Sequence, residues 1–203
     1  MIAEHNSAIR LDPGFAAPHA MTSLAYIFEY TNRLAGVADR LGLSVRHAAM
    51  AVQIDPDELL GHIATAVVLI FTGDIAGMKA AADRATALAP GSALALGTRG
   101  NTDVVLGDAA AAIPYQQRAI RLDKAFARQG LHFPGTAYLL SGQYEIATQT
   151  FRERIGLNPT TDLSRGYLAS ALVTLVRPRR RAPSGPRGWR STPPIRSKTT
   201  SPA

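Results

Sequence analysis

Apolar residues return at helical spacing over most of the chain, and the pattern is interrupted at regular intervals. An alanine stands three residues before a large aliphatic side chain at Ala51–Ile54, Ala85–Leu88 and Ala119–Leu122, a spacing that shares one helix face. The fullest form of the phrase is AIRLDPGFA at 8–16, which agrees with AIRLDKAFA at 119–127 in seven of nine positions. Weaker echoes are AVQIDP at 51–56, ATALAP at 85–90 and RIGLNP at 154–159. Their last residues fall at 13, 56, 90, 124 and 159, so the successive gaps are 43, 34, 34 and 35. Gly73, Gly107 and Gly142 keep step, 17, 17 and 18 residues after 56, 90 and 124. Glycine supplies the positive φ that ends a helix, and proline cannot continue one. Each unit therefore predicts a helix, a Gly turn, a second helix and an Asp-Pro turn.

The same pattern predicts details. The long first unit should hold a helix over 18–33, an extended connection through LAGVADRLGLS, and a second helix over 45–54. Pro114 should lie in the first turn of its helix, where its missing N–H costs little. Residues 161–176 read as a final helix with Leu163, Leu168, Leu172 and Leu175 near one face and no partner helix after it. The chain opens inside a second helix, so both ends lack the polar caps that arrays need. One helix pair is too small to bury its apolar faces, whereas stacked pairs share a continuous core. Ala8, Ala51, Ala85 and Ala119 are the expected small contacts in that core, with Leu11, Ile54, Leu88, Leu122 and Leu157 the large ones.

Over roughly residues 1–175 these units resemble the tetratricopeptide repeat family, most closely in LHFPGTAYLLSGQYEIATQTFRERIGLNP. By that resemblance Gly135 is the small residue where two helices approach, with Tyr138 beside them. Ala147 and Phe151 are the small and large contacts on the second helix, and Pro159 closes the unit. Gly100 and Ala66 match Gly135 in the two preceding units. The pattern departs from the family at His62 and Leu96, where an aromatic is usual, and at Lys124, where proline is. The implied fold is all-α, a right-handed superhelix of antiparallel helix pairs. Residues 1–176 would hold about four pairs and an unpaired last helix.

The resemblance also implies a function: a non-catalytic protein–protein interaction scaffold, with a protein or peptide segment in the concave groove lined by first helices. In the family register that face carries Leu60, Ile63, Val67 and Ile70, then Leu94, Asn101 and Val104, then Gln129, His132, Thr136 and Leu139. Members that clamp a peptide's C-terminal carboxylate use Lys, Arg and Asn there, and only Asn101 fits. The alternative reading of Ile63, Val67 and Ile70 is plain core. The elongated first unit followed by AVQIDPDE resembles the tetratricopeptide region of bacterial adenylate/guanylate cyclases and of winged-helix regulators. No cyclase catalytic segment is present, so a detached regulatory region, or a cyclase fragment without its catalytic domain, is what that likeness implies.

Charge changes the picture only at one end. The net charge is +7, yet eight of the 22 basic residues and none of the 15 acidic ones lie in 177–203. That leaves 14 basic against 15 acidic side chains in residues 1–176. The segment 177–203 has six prolines and only Trp189 and Ile195 as large apolar residues, a composition that predicts disorder. It reads either as an unselected, frame-shifted extension or as a basic arm for nucleic acid or an acidic membrane surface. The apolar face of 163–175 predicts self-association.

Little in the chain points to chemistry. There is no cysteine, which removes thiolate metal sites and cysteine nucleophiles and is compatible with a cytoplasmic setting. The start shows no secretory h-region, and IATAVVLIF is about half the ~20 residues of a membrane span. His5, His19, His47, His62 and His132 lack metal-ligand spacing. GTRGNT at 97–102 lacks the Lys-Ser/Thr of a phosphate loop. DPDE at 55–58 falls where helix capping needs carboxylates. No catalytic residue, metal or cofactor is predicted.

Overall fold

The computed structural model describes residues 2–31, 38–124, 131–157, 159 and 162–176. Among them are ten α-helices and no strand: α1 (Ile2–Leu11), α2 (Ala16–Thr31), α3 (Arg40–Ile54), α4 (Leu59–Thr72), α5 (Ile75–Leu88), α6 (Ala93–Val105), α7 (Ala109–Leu122), α8 (His132–Leu140), α9 (Tyr144–Leu157) and α10 (Asp162–Val176). Residues 177–203 and Gln129 lie outside the described residues.

The predicted punctuation marks the helix ends. Gly73, Gly107 and Gly142 have φ of 80°, 84° and 79°, and each reverses the chain between the helices of a pair. Asp74 and Asp108 then cap the next helix, their carboxylates accepting from the Gly77 N–H at 2.8 Å and the Ala111 N–H at 3.1 Å. Ser92 and Glu58 do the same for α6 and α4. A β-carbon in the left-handed region costs about 1–2 kcal/mol. Gly107→Ala is therefore expected to lose about that much stability in urea melts. Gly91→Ala, where φ is ordinary and the added carbon meets nothing within 4 Å, should lose nothing.

Each helix touches the next one along the chain. In addition α2 touches α4, α4 touches α6, α6 touches α8 and α8 touches α10, whereas no second helix among α3, α5, α7 and α9 touches another. First helices therefore crowd together and second helices splay. The stack must curve, with α2, α4, α6, α8 and α10 on its inner side.

Close approach within each pair depends on a matched couple 16 residues apart: Ala66 with Ala82, Gly100 with Gln116, and Gly135 with Phe151. A Cβ at Gly135 would come within 2.6 Å of Phe151 Cε1, and one at Gly100 within 2.7 Å of Gln116 Nε2. Ala82, Gln116 and Phe151 are all essentially inaccessible. In the long first pair the helices meet at Ser23 and Ser44. Each hydroxyl donates to the other residue's carbonyl at 2.8 Å, so both buried serine donors are satisfied.

Four expectations change. α3 starts at Arg40 rather than Val45, because Asp39 adopts φ 54°, ψ 41° and its carboxylate accepts from the Gly42 N–H. α2 starts at Ala16 rather than Pro18 and is described as far as Thr31; residues 32 and 33 of the expected helix lie outside the described residues. Pro114 is the sixth residue of α7, not a first-turn residue, because Asp108 sets the start at Ala109. The carbonyl it leaves unpaired, that of Ala110, lies on an exposed stretch where water can reach it. Finally, only the small half of the repeated phrase is core. Ala51, Ala85 and Ala119 are fully buried, while Leu11, Leu122 and Leu157 are exposed at 88%, 51% and 44%. A large side chain one turn on reaches the helix end, beyond the neighbouring helix.

Candidate functional site: the inner face

The inner face is built from half-exposed positions on successive first helices. On α4, Leu60, Val67 and Ile70 are half-buried. Ile63 is buried at 4% against Ala85 and Ala95, so it joins two pairs and offers no surface. On α6, Leu94 is exposed and Asn101 half-buried, while Val104 packs on Ala112 and Ala137. Gln116 Nε2 donates to Asn101 Oδ1 at 2.7 Å. That bond holds the Asn101 amide with its NH2 group, the donor half, turned away from Gln116. Bulkier α9 carries Phe151 where α7 carries Gln116, so this fixing is peculiar to the α6–α7 pair.

On α8 the predicted residues are drawn into the joint with α9 and α10. The His132 ring stands edge-on to Tyr167 at 5.0 Å and lies 6.1 Å from Phe151, and its Nδ1 meets Ser164 Oγ at 3.2 Å. Burial, reinforced by the Arg154 charge, lowers its pKa to about 4. Thr136 is buried, with its hydroxyl donating to the His132 carbonyl at 2.9 Å. Leu139 packs against the cluster of Ala147, Phe151 and Ala171. Of the eleven positions expected on the groove, Leu60, Val67, Ile70, Leu94 and Asn101 are thus grouped on α4 and α6 with surface to offer.

Charges near this face are mutually satisfied. Arg99 of α6 bonds the buried Asp103 carboxylate at 3.0 and 3.1 Å and pairs with Asp83 of α5. Its guanidinium also lies 5.3 Å from the Tyr115 ring centre. Burial raises the Asp103 pKa against the opposing pull of Arg99. The i, i+4 spacing of Arg99 and Asp103 was the available sequence signal, but nothing in it announced a buried acid. With Arg99 so engaged, α6 has no cation to clamp a carboxylate.

The remaining candidates resolve simply. GTRGNT is the interior of α6, not a loop. In DPDE, Asp55 accepts from the Asp57 N–H, Glu58 from the Leu60 N–H, and Asp57 pairs with Arg84. Two histidines meet across α2 and α3: His19 Nδ1 lies 3.1 Å from His47 Nδ1. Burial lowers the pKa of both, and the charges of His19 and Arg46 add to the lowering at His47. Sequence spacing could not reveal a pair 28 residues apart. Among the described residues no group of three His, Cys, Asp or Glu could hold a metal, and no helix is long and apolar enough to cross a membrane. On the outer side, a cleft of about 270 Å³ between α7, α8 and α9 is lined by Ile120, Pro134, Tyr138, Ile146, Gln149 and Glu153.

No family model and no curated protein matches the sequence. Solved structures do. A thermophilic TPR protein of Thermus thermophilus superposes with a TM-score of 0.63 at 16% identity, over 85% of this chain and 89% of that one. YrrB, a TPR protein with an unusual peptide-binding site, superposes with a TM-score of 0.53 at 15% identity, over 86% and 85%. The APC/C hetero-tetramer Cut9–Hcn1 gives a TM-score of 0.71 at 16% identity, over 87% of this chain but 34% of that one. At such identities the likeness is one of fold: the chain folds as a tetratricopeptide-type α-solenoid.

Proposed function

We propose that residues 1–176 act as a non-catalytic scaffold that holds a peptide or protein segment along the inner face. The observation that supports this most is Asn101. Its amide is oriented by Gln116 on α6, the helix that also carries Leu94 and that touches α4 with its Leu60, Val67 and Ile70. An extended segment offers backbone carbonyls to such a donor and side chains to such a floor. YrrB, of the same fold, is described as having a peptide-binding site. The test is peptide display against the full chain, followed by calorimetry on a selected peptide. Asn101→Ala and Leu94→Arg should each weaken binding at least about tenfold, since one lost polar contact or a blocked floor removes more than about 1.4 kcal/mol. Gln149→Ala, on the outer cleft, should not. Loss of binding with Gln149→Ala alone would move the site to the outer side and overturn the reading.

The charge segregation supports a second role. Residues 177–203, with eight basic side chains and no acidic one, form an arm that binds nucleic acid or acidic surfaces electrostatically and with strong salt dependence. On the likeness of the long first unit, the setting we propose is a regulatory region of a signalling protein working in the cytoplasm. A cyclase or winged-helix reading frame immediately upstream in the genome would bear on it directly.

A further inference from the structure

The seam between α2 and α3 carries more than its serine contact. Ser23 and Ser44 exchange hydrogen bonds there, and Ala20 and Ala48 are inaccessible beside them. His19 stands one turn before Ser23, and His47 one turn after Ser44. The two helices run antiparallel, so these imidazoles face each other, Nδ1 to Nδ1 at 3.1 Å with ring centres 5.2 Å apart. Each histidine adjoins one of the buried alanines, so packing fixes both backbones before any ligand arrives.

The pair has the properties of a chelate. A tetrahedral ion held by two imidazole nitrogens at about 2.0–2.1 Å spaces them about 3.3 Å apart. The spacing of 3.1 Å therefore needs an adjustment of only about 0.2 Å. Both rings are half-exposed, which lets water fill the other coordination positions. Burial lowers the pKa of each, so near neutral pH the rings are uncharged and a metal has no extra proton to displace. Among the described residues no carboxylate acts on either ring, and the cation that does, Arg46, pairs with Asp39 at 3.5 Å. An all-imidazole donor set does not suit Mg2+ or Ca2+, which take oxygen ligands, and suits late first-row metals.

We propose that His19 and His47 bind one divalent ion of the zinc, nickel and copper class through their two Nδ1 atoms, clipping α2 to α3. Two protein nitrogens hold the ion and water completes its shell. Without metal, one ring donates its Nδ1–H to the other. On binding, that ring carries its proton on Nε2 instead, so both Nδ1 lone pairs face the ion and no net proton is released.

Calorimetry with Zn2+ on the full 203-residue chain at about pH 7.5 tests this. One ion per chain should bind with a Kd below about 100 µM, and uptake should weaken towards about pH 5.5 as protons compete. His19→Gln and His47→Gln keep an amide that can hydrogen-bond to the remaining ring, yet each should lower the affinity at least about tenfold. His62→Gln should leave it unchanged. Zn2+ should raise the urea midpoint of the wild type and of His62→Gln, but not of the two ligand variants. Nitrogen-15 spectra of the wild type give a second measure that needs no variant to fold. With Zn2+, the Nδ1 signals of His19 and His47 should shift together while both Nε2 atoms carry protons. No saturable uptake, uptake that survives His19→Gln, or metal on Nε2 of either ring overturns the proposal and leaves the pair as a hydrogen bond between neutral rings.

Discussion

Phe151→Ala is expected to lower the unfolding free energy by about 3–5 kcal/mol, the range for deleting a buried aromatic without collapse of its site. Phe151 has no accessible surface and lies between Ala147 and Ala171, with Tyr138, Leu139, Tyr167 and Leu168 around it. It thereby joins α9 to both α8 and α10. Gly135→Ala should cost about 1–3 kcal/mol by overpacking, since the new methyl would come within 2.6 Å of the Phe151 ring. The two changes should not add. Together they recreate the Ala66–Ala82 couple, which packs well two units earlier, and the added methyl occupies part of the space the ring leaves. Chemical denaturation of the two single variants and the double variant measures the coupling. A double variant less stable than the sum of the single losses would show that the couple is not the unit of packing.

Acid should loosen the same joint. The His132 pKa of about 4 lies below its ordinary 6.5, chiefly through burial and then through the Arg154 charge. Between those values the unfolded chain takes up a proton that the folded chain refuses. Stability from the neutral ring is therefore complete above about pH 6.5 and is lost as pH falls towards 4. Each pH unit across that interval is worth about 1.4 kcal/mol, so the loss approaches about 3 kcal/mol, less whatever solvent access to the ring relieves. His19 and His47 move in the same direction, so the whole chain should be steeper than His132 alone would make it. His132→Phe keeps a ring in place and removes the proton. Its urea midpoint should fall distinctly less between about pH 7.5 and about pH 4.5 than that of the wild type. An unchanged slope would mean that the ring is hydrated and contributes nothing.

The architecture was legible because it is local and repeated. Gly73, Gly107 and Gly142 end first helices, and Asp-Pro ends the second helices α1 and α3. Five recurrences of one phrase set the register without any knowledge of the fold. Gly100 and Gly135 were identified through the family resemblance, as small residues at a fixed place in a unit. Asp39 was less legible. A non-glycine residue at positive φ is uncommon, and only its bond to the Gly42 N–H explains the early start of α3.

The inner face was read in register but not in depth. Ile63 and Leu60 stand three residues apart on α4, and one is buried while the other is half-open, because the curvature of the stack decides which of two neighbouring rows turns inward. His132 looked like a polar groove residue and became the centre of an aromatic joint once α10 closed over it. The His19–His47 contact and the Arg99–Asp83 pair join residues of different helices, and spacing along the chain carries no record of them.

By itself, then, the order of residues determined the helices, the glycine turns between them and the fact of stacking, since each follows from backbone geometry and from apolar periodicity within about 34 positions. Only the tertiary structure decided which side chains the stack hides and which it presents. That depends on how closely helices approach, a distance set within each pair by couples such as Gly135 with Phe151 on separate helices.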